Sequence, residues 1–246
     1  MEFYTLVASG LIVVLAAGFI QGLTSFGFAL LSLPLLTQFI PLQEVVPIVV
    51  ILSLCTNIFI FIHSRRDAEL RKIWILIFSS LAAAPFGTYL LLYLDSSLLK
   101  LCTGVLITLF AFILLSGKSV PVQNERLAYV PVGITSGILN GSISMSGPPV
   151  ALFLSNQGVG KETFRANISA YAILLNLITV CTYFYGGLIT SEVIRYTSWF
   201  VPGMFVGVFV GIYAVKRLND KLFKRIALWL IVLSGGWTTI TALGII

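Results

Sequence analysis

Long apolar stretches without a single charged residue dominate the pattern of hydrophobic and polar positions along this chain. Six of these stretches contain no Asp, Glu, Lys or Arg, and each is close to the roughly 20 residues that a helix needs to cross a bilayer. They are residues 45–64, 73–94, 101–117, 166–191, 196–215 and 226–246. The pattern therefore predicts six membrane-spanning helices.

Two longer charge-free stretches, residues 3–43 and 127–160, have a different pattern. The second has 34 residues, or about 51 Å of helix, whereas two crossings of a hydrocarbon core about 30 Å thick need about 60 Å. Glycine and proline also interrupt it at positions that break a continuous helix. We therefore expect two half-helices that meet inside the membrane. A comparable break is expected at residues 22–27, although residues 3–21 are long enough for a fuller crossing.

The glycine and proline positions of these two stretches repeat each other. A displacement of 115 residues relates Gly18, Gly22 and Pro34 to Gly133, Gly137 and Pro149. With small loop insertions, the correspondence continues through Asn57 and Asn176 and through Pro85 and Pro202. These matches predict one structural unit used twice, at residues 1–117 and 127–246, with a cytoplasmic linker at residues 118–126.

The composition agrees with a membrane protein. Hydrophobic residues make up 58% of the 246 positions, charged residues make up 10%, and the mean hydropathy is +1.04. A soluble domain carries roughly 25% charged residues, so this chain is not expected to be one. The net charge of +6 comes from short loops between spans, which argues against nucleic-acid binding.

The basic residues predict the orientation in the membrane. The loops at residues 65–72 and 216–225 are the richest in Lys and Arg, and such loops face the cytoplasm. Counting spans from these loops places both termini outside and gives the two repeats opposite orientations. We therefore expect a multi-pass protein of the plasma membrane, or of the inner membrane in a bacterium, built from two inverted repeats.

Polar residues inside a bilayer are costly and mark candidate functional sites. Here they cluster at the two predicted breaks, namely Gln21, Gly22, Thr24, Ser25 and Gly27, and Asn140, Gly141, Ser142, Ser144, Ser146 and Gly147, with Pro34, Pro148 and Pro149 as helix breakers. A broken helix leaves unpaired N–H groups at the start of the next segment, where the helix dipole favours negative charge. The breaks therefore predict a binding site for a small anion, and we expect Asn57 and Asn176 to flank it.

These features also have structural alternatives. Small residues spaced by four, such as Gly18 and Gly22, commonly serve close helix packing, and a buried Asn commonly bonds a neighbouring helix. At the inner mouth, His63, Arg65 and Arg66 either attract anions or act only as interfacial and topology-setting residues.

The residue types that are missing narrow the chemistry. All nine acidic residues lie outside the span interiors, and no Lys or Arg is expected deep in the membrane, so neutral donors and helix ends would hold the anion. There is one His, and Cys55, Cys102 and Cys181 are widely spaced. Together with the lack of nucleotide-binding and hydrolase motifs, this predicts no enzyme, no metal and no cofactor.

A known family shares the features just described. They are Gly18, Gly22, Ser25, Gly27 and Pro34 in the first half, Gly133, Gly137, Asn140, Gly141 and Pro149 in the second, and basic loops after the third and ninth segments. Over nearly the whole chain, this layout resembles the sulfite exporter family TauE/SafE. The resemblance implies a membrane permease for sulfur-containing anions such as sulfite and organosulfonates. The first break has fewer glycines than the family pattern, which leaves the particular substrate open.

The sequence thus predicts an all-α polytopic membrane protein of about ten hydrophobic segments. These form two inverted repeats of about five segments each, with the first two of each repeat broken or re-entrant. The expected function is transport of a small anion, such as sulfite or an organosulfonate, by alternating access at a midplane site between the repeats. The expected partners are this anion and the lipid bilayer. Two alternatives stay open: an anion channel, and a non-transporting membrane scaffold or accessory subunit.

Overall fold

The computed structural model describes residues 2–95, 97–99, 125–219 and 221–223, with single positions 101, 105, 109, 225 and 229. In chain order the helices are α1 (Glu2–Thr24), α2 (Phe28–Leu36), α3 (Leu42–Ser64), α4 (Leu70–Tyr93), α5 (Glu125–Ile143), α6 (Gly147–Asn156), α7 (Lys161–Tyr185) and α8 (Ser191–Val215). A 3₁₀ turn, Arg65–Asp67, follows α3. The predicted all-α class is confirmed over these ranges. Below, α1–α4 are called the first half and α5–α8 the second half.

Five helices in the described ranges are long and apolar enough to cross a membrane, at Leu6–Thr24, Leu42–Asp67, Leu70–Tyr93, Lys161–Tyr185 and Ser191–Val215. Four of them confirm spans predicted from the sequence, and the additional one is α1. The other two predicted spans, residues 101–117 and 226–246, lie outside the described residues apart from a few single positions. The predicted linker at residues 118–126 lies mostly outside them as well.

Two interruptions separate a long helix from a short one, and both lie where the sequence predicts them. We call residues 25–27, between α1 and α2, the first break, and residues 144–146, between α5 and α6, the second break. With nine and ten residues, α2 and α6 are about 14 and 15 Å long, too short to cross the membrane. The expected pair of half-helices at residues 127–160 is instead one long and one short helix, because α5 has 19 residues and is about 28 Å long.

The long helices end at serines and not at prolines. Ser25 and Ser144 have φ angles of +70° and +62°, the left-handed conformation that commonly terminates an α-helix. Pro34, expected at a break, lies inside α2 two residues before its end, where it removes at most one backbone bond. Pro148 and Pro149 are the second and third residues of α6, positions whose N–H groups have no intrahelical partner in any helix.

Glycines allow α1 to pack closely on α8, and α5 to pack closely on α4. A Cβ atom on Gly22 would lie 2.5 Å from Val208 O, and one on Gly137 would lie 2.9 Å from Ser80 Cα. The same close approach of backbones occurs at Gly18, Gly133 and Gly141. Helices in membranes use small residues in this way, so the packing alternative holds for Gly18, Gly22, Gly133 and Gly137, and Gly141 has the same surroundings. This packing also explains why Gly133 and Gly137 do not break α5.

The most buried long helices are α3 and α7, which pack against each other in the middle of the bundle. Each also contacts the last helix of the other half, since α3 lies against α8 and α7 lies against α4. The short helix α2 lies against α1 and α3, and α6 lies against α5 and α7. Both breaks are therefore held beside the central helix pair.

Apolar side chains cover the outside of the bundle, whereas polar side chains lie inside. Ile12, Phe78 and Tyr185 are 71%, 65% and 88% exposed. Five amide side chains of the described residues are almost fully buried, those of Gln21, Asn57, Asn140, Asn167 and Asn176. This distribution is the reverse of that in a soluble protein and suits a lipid environment.

Candidate functional site

Gln21 organises the first break because its side chain joins three segments of the backbone. Its Nε2 donates to Ser25 O and to Asn57 Oδ1, both at 3.1 Å, and its Oε1 accepts from Phe28 N at 2.8 Å. Asn57 Nδ2 donates in turn to Ser53 O at 2.8 Å and to Ser53 Oγ at 3.2 Å. The end of α1, the start of α2 and the interior of α3 are thereby fixed to one another.

Thr24 and Gly27 close the turn of the first break. Thr24 Oγ1 donates to Ile20 O at 2.9 Å and accepts from Gly27 N at 3.1 Å. A Cβ atom on Gly27 would lie 2.9 Å from the same Thr24 Oγ1, so this close approach requires glycine. The Thr24 side chain therefore stabilises this turn locally.

The second break has a similar arrangement, based on asparagine. Asn140 Nδ2 donates to Asn176 Oδ1 at 3.0 Å and to Thr179 Oγ1 at 2.9 Å. The Tyr183 hydroxyl donates to Gly141 O at 2.7 Å. The end of α5 is thus fixed to α7 by a buried amide pair, just as the end of α1 is fixed to α3.

Equivalent residues of the two breaks are 119 positions apart, and not 115. A displacement of 119 relates Gln21 to Asn140, Ser25 to Ser144 and Asn57 to Asn176. The displacement of 115 does not align these polar residues. It was matched on glycines, and Gly133, Gly137 and Gly141 recur every four residues. Such a run matches Gly18 and Gly22 in either of two registers, about one helical turn apart. The polar side chains, and not the glycines, determine the register.

A small polar cavity lies where the two breaks meet. Six of the predicted binding residues line it, namely Gln21, Ser25, Asn57, Ser144, Ser146 and Gly147. The first break lies directly against the start of α6, since a Cβ atom on Gly147 would lie 2.7 Å from Phe26 Cβ. The cavity has room for roughly one or two water molecules.

Two serine hydroxyls at this cavity are free to donate. Ser25 and Ser144 both line the cavity and are 0% and 6% exposed. Their Oγ atoms have no hydrogen-bond partner among the residues that the structure describes. Each serine also has a positive φ, which costs a residue with a Cβ atom about 1–2 kcal/mol. Both breaks thus combine a strained backbone with a buried hydroxyl that can serve a ligand.

Backbone N–H groups contribute less to this site than the sequence suggests. At the first break, the N–H groups of Gly27 and Phe28 already donate to Thr24 Oγ1 and Gln21 Oε1. At the second break, Pro148 and Pro149 have no N–H group. Fewer backbone N–H groups are therefore free for a ligand at these helix N-termini than the sequence predicts.

Three further residues of the site escape the sequence pattern. Tyr171, which lines the cavity, donates from its hydroxyl to Ser136 Oγ at 2.7 Å, and Ser136 Oγ donates to Ser146 O at 2.7 Å. Tyr171 and Ser136 are 35 residues apart in the chain, so no local spacing could pair them. The third, Ser53, lies one helical turn before Asn57, and this spacing could have indicated it.

A buried arginine lies beside the first break, which contradicts the expectation that no Lys or Arg lies deep. Because α7 already begins at Lys161, Arg165 belongs to a helix and not to a loop. The residue is 2% exposed, and its Nη1 donates to Gly22 O at 2.8 Å and to Leu23 O at 2.6 Å. A charge-free interval starts at residue 166, so the sequence pattern assigned Arg165 to the preceding loop.

The other predicted residues support the scaffold or lie at its surface. Gly22 and Gly141 lie in helix interfaces, and Ser142 Oγ donates to Ile138 O at 2.8 Å. His63 is exposed, with Nδ1 2.8 Å from Phe59 O, and Arg65 and Arg66 are exposed in the 3₁₀ turn. This position agrees equally with a topology-setting role and with an inner mouth.

These features define a class of protein. A helical bundle with an apolar surface, long membrane-spanning helices and two helix breaks around a buried polar cavity is typical of membrane transporters.

The chain belongs to the sulfite exporter TauE/SafE family, whose model matches residues 10–238. The match includes both breaks and the central helices α3 and α7, and it confirms the resemblance noted from the sequence. The protein is therefore a multi-pass membrane transporter of this family and not an enzyme. No curated protein and no solved structure matches the chain.

Proposed function

We propose that this transporter moves a small sulfur oxyanion or an organosulfonate and binds it between Ser25 and Ser144. The observation that carries the proposal is the pair of buried hydroxyls, one from each break, that line one cavity without a protein partner in the described part of the chain. Hydroxyl groups donate to the oxygens of sulfite and of sulfonates alike.

The backbone at these two positions supports a role for the hydroxyls. Glycine adopts a positive φ without strain and is the usual residue at such a helix end, yet both positions are serine. A buried hydroxyl without a partner costs a further 1–3 kcal/mol or so. A hydrogen bond to a charged group contributes about 1.5–3 kcal/mol, so a bound anion offsets much of this cost at each break.

Alternating access between two inverted repeats is the mechanism that we propose. The contacts of the two halves support it, because α1 packs on α8 as α5 packs on α4, and α3 contacts α8 as α7 contacts α4. Such an exchange of partners is expected when α1–α4 and α5–α8 are two copies of one unit. The equivalent pairs Gln21–Asn57 and Asn140–Asn176 support it further. In this arrangement, rocking of one repeat against the other exposes a fixed central site to either side.

The size of the cavity favours a carrier over a permanently open channel. Room for roughly one or two water molecules is less than a sulfur oxyanion needs, and far less than an organosulfonate needs. An anion therefore enters only after the helices around the breaks move. Unitary currents far above carrier turnover would contradict this mechanism.

Thermal unfolding of the purified protein tests the proposed substrate class. The panel contains sulfite, sulfate, thiosulfate, taurine, sulfoacetate and simple carboxylates. A substrate at about 100 times its Kd stabilises the folded state by about 2.7 kcal/mol, so Tm should rise for a sulfur anion, and proteoliposomes should take up the same anion. Failure of every anion to shift Tm, together with absence of flux, would contradict the proposal and favour a scaffold.

A further inference from the structure

Arg165 is a buried cation held by the end of a helix. The residue is 2% exposed, and its Nη1 donates to Gly22 O at 2.8 Å and to Leu23 O at 2.6 Å. Both carbonyls belong to the last turn of α1, where a helix leaves its C=O groups without intrahelical partners and carries partial negative charge. The guanidinium therefore occupies a place that attracts cations.

Arg165 forms no ion pair with a carboxylate among the described residues. Glu162, one turn earlier in α7, is near enough to interact with its charge, but Glu162 is exposed and pairs with Lys161. The ion pairs in that part of the chain are Lys72–Glu69, Lys161–Glu162 and Arg195–Glu192. Carbonyl dipoles face the guanidinium instead, and the end of a helix amounts to only about half of an elementary charge. A net positive charge therefore remains at the first break.

Two residues close in the chain to Arg165 or to its acceptor Gly22 line the cavity. Gly22, which accepts from the guanidinium, directly follows Gln21 in α1, and Ile168 follows Arg165 by about one turn in α7. Gln21 and Ile168 both line the cavity. Because charges interact strongly where the dielectric constant is low, Arg165 favours an anion in the cavity and disfavours a cation.

At the second break, a neutral hydroxyl and not a cation donates to the corresponding carbonyl. Gly141, the equivalent of Gly22, accepts from the Tyr183 hydroxyl at 2.7 Å. The equivalent of Arg165 at a displacement of 119 residues is Val46, which is apolar and fully buried. Among the residues that the structure describes, the buried cation therefore belongs to the first break only.

In many transporters, the ends of broken helices and their unwound carbonyls bind a co-transported Na⁺ or H⁺. We infer that Arg165 takes the place of such a cation. It is tethered to the end of α1, it makes the cavity select anions, and it makes a co-transported inorganic cation unnecessary at this break. The claim that Arg165 makes the cavity select anions rests on the proposed anion transport. The claim that Arg165 occupies the end of α1 does not.

A stability measurement tests the occupation of the helix end without knowledge of the substrate. Arg165→Ala removes the donor to two carbonyls and leaves space for a free guanidinium ion. In detergent, the Tm of wild-type protein should be the same in NaCl, KCl and choline chloride at equal ionic strength. The Tm of Arg165→Ala should be lower, and methylguanidinium should raise it more than it raises that of wild type.

The matched control is Arg195→Ala, because Arg195 is exposed and pairs with Glu192. Its Tm should not respond to methylguanidinium beyond the wild-type response. If methylguanidinium fails to raise the Tm of Arg165→Ala, or if Na⁺ alone stabilises the wild-type protein, the inference is overturned.

Anion binding and flux test the selectivity. Arg165→Lys keeps the charge and Arg165→Gln removes it, so these variants also serve if Arg165→Ala does not fold. We expect Arg165→Gln to weaken anion binding at least about tenfold and Arg165→Lys to retain most of it, while wild-type flux is independent of a Na⁺ gradient. Unchanged affinity in Arg165→Gln, or wild-type flux that requires Na⁺, would overturn the inference.

If wild-type protein binds no anion of the panel, the proposed function fails. The methylguanidinium response then still decides whether Arg165 occupies the end of α1.

Discussion

Ser25 and Ser144 occupy backbone positions at which glycine is the usual residue, because φ is positive at both. Ser25→Gly and Ser144→Gly relieve the strain and remove a buried hydroxyl, so we expect Tm to stay the same or to rise. Each variant should bind the transported anion about 10- to 100-fold more weakly, the equivalent of one charge-assisted hydrogen bond. Thermal unfolding and titration calorimetry measure the two effects.

Ser198→Ala is the matched control for the two serines. Ser198 is exposed, and its Oγ donates within its own helix to Ile194 O at 2.8 Å. This variant should change neither Tm nor anion affinity. A fall in Tm with unchanged affinity in Ser25→Gly and Ser144→Gly would show that both serines serve the fold and not a ligand.

Gln21 offers a second prediction, because its amide binds Ser25 O, Asn57 Oδ1 and Phe28 N. Gln21→Leu leaves these three buried groups without a partner. We expect a loss of about 1–3 kcal/mol in the free energy of unfolding, a range that allows for the modest strength of hydrogen bonds in membranes. Chemical denaturation in mixed micelles checks it.

The control for Gln21→Leu is Gln38→Leu, at an exposed residue in the loop after α2. Its effect should stay within about 0.5 kcal/mol, as for most surface substitutions. Equal losses in the two variants would mean that the amide network at the first break contributes nothing particular to stability.

Residue types allowed much of the site to be predicted, because a polar side chain in a bilayer is costly and therefore informative. Gln21, Ser25 and Ser144 were identified in this way, and all three line the cavity. Arg165 and Tyr171 were not. Arg165 stands at the edge of an apolar run, and the hydroxyl partner of Tyr171 is distant in the chain, so only the folded structure brings each to its place.

At the scale of helices, the breaks were predictable but their register was not. Length alone excludes two full crossings in residues 127–160, and polar residues mark where the chain turns. Glycines spaced by four fit two registers, because a shift of about one helical turn leaves their face unchanged. The same glycines were ambiguous between binding and packing, and their contacts with α4 and α8 decide for packing.

Close packing of α1 on α8 gives a prediction at this scale. A Cβ atom on Gly22 would lie 2.5 Å from Val208 O and 2.8 Å from Gly211 Cα, both backbone atoms that cannot turn away. Gly22→Ala should therefore force the helices apart and lower the free energy of unfolding by about 1–3 kcal/mol. Thermal unfolding in detergent measures the change.

Gly160→Ala is the control for this substitution, because nothing lies within 4 Å of the position that its Cβ atom would occupy. We expect it to alter stability by no more than about 0.5 kcal/mol. Similar losses for both variants would contradict the assignment of Gly22 to a tight helix interface.

At the scale of the whole molecule, the central proposal is that the two halves have opposite orientations in the membrane. The positive-inside pattern places residues 65–72 inside and residues 192–195 outside. In a background with Cys55, Cys102 and Cys181 replaced by Ser, a new cysteine at Arg66 should react with an impermeant maleimide only from the cytoplasmic side. A new cysteine at Glu192 should react only from the outside.

Arg66 is exposed and the side chain of Glu192 is 44% exposed, so neither labelling position is buried. Labelling of both cysteines from the same side would contradict inverted repeats and, with them, alternating access. It would leave the two breaks and the cavity between them unchanged, so the binding site would still need a separate test.

That test is the position of a bound anion. Selenite is the heavier analogue of sulfite, and the anomalous scattering of selenium in crystals of the protein locates it independently of any model of the site. The account predicts one selenium peak between the two breaks, with oxygens in hydrogen-bonding distance of both Ser25 Oγ and Ser144 Oγ. A well-occupied peak elsewhere in the membrane-spanning region, with none at the two serines, would contradict it.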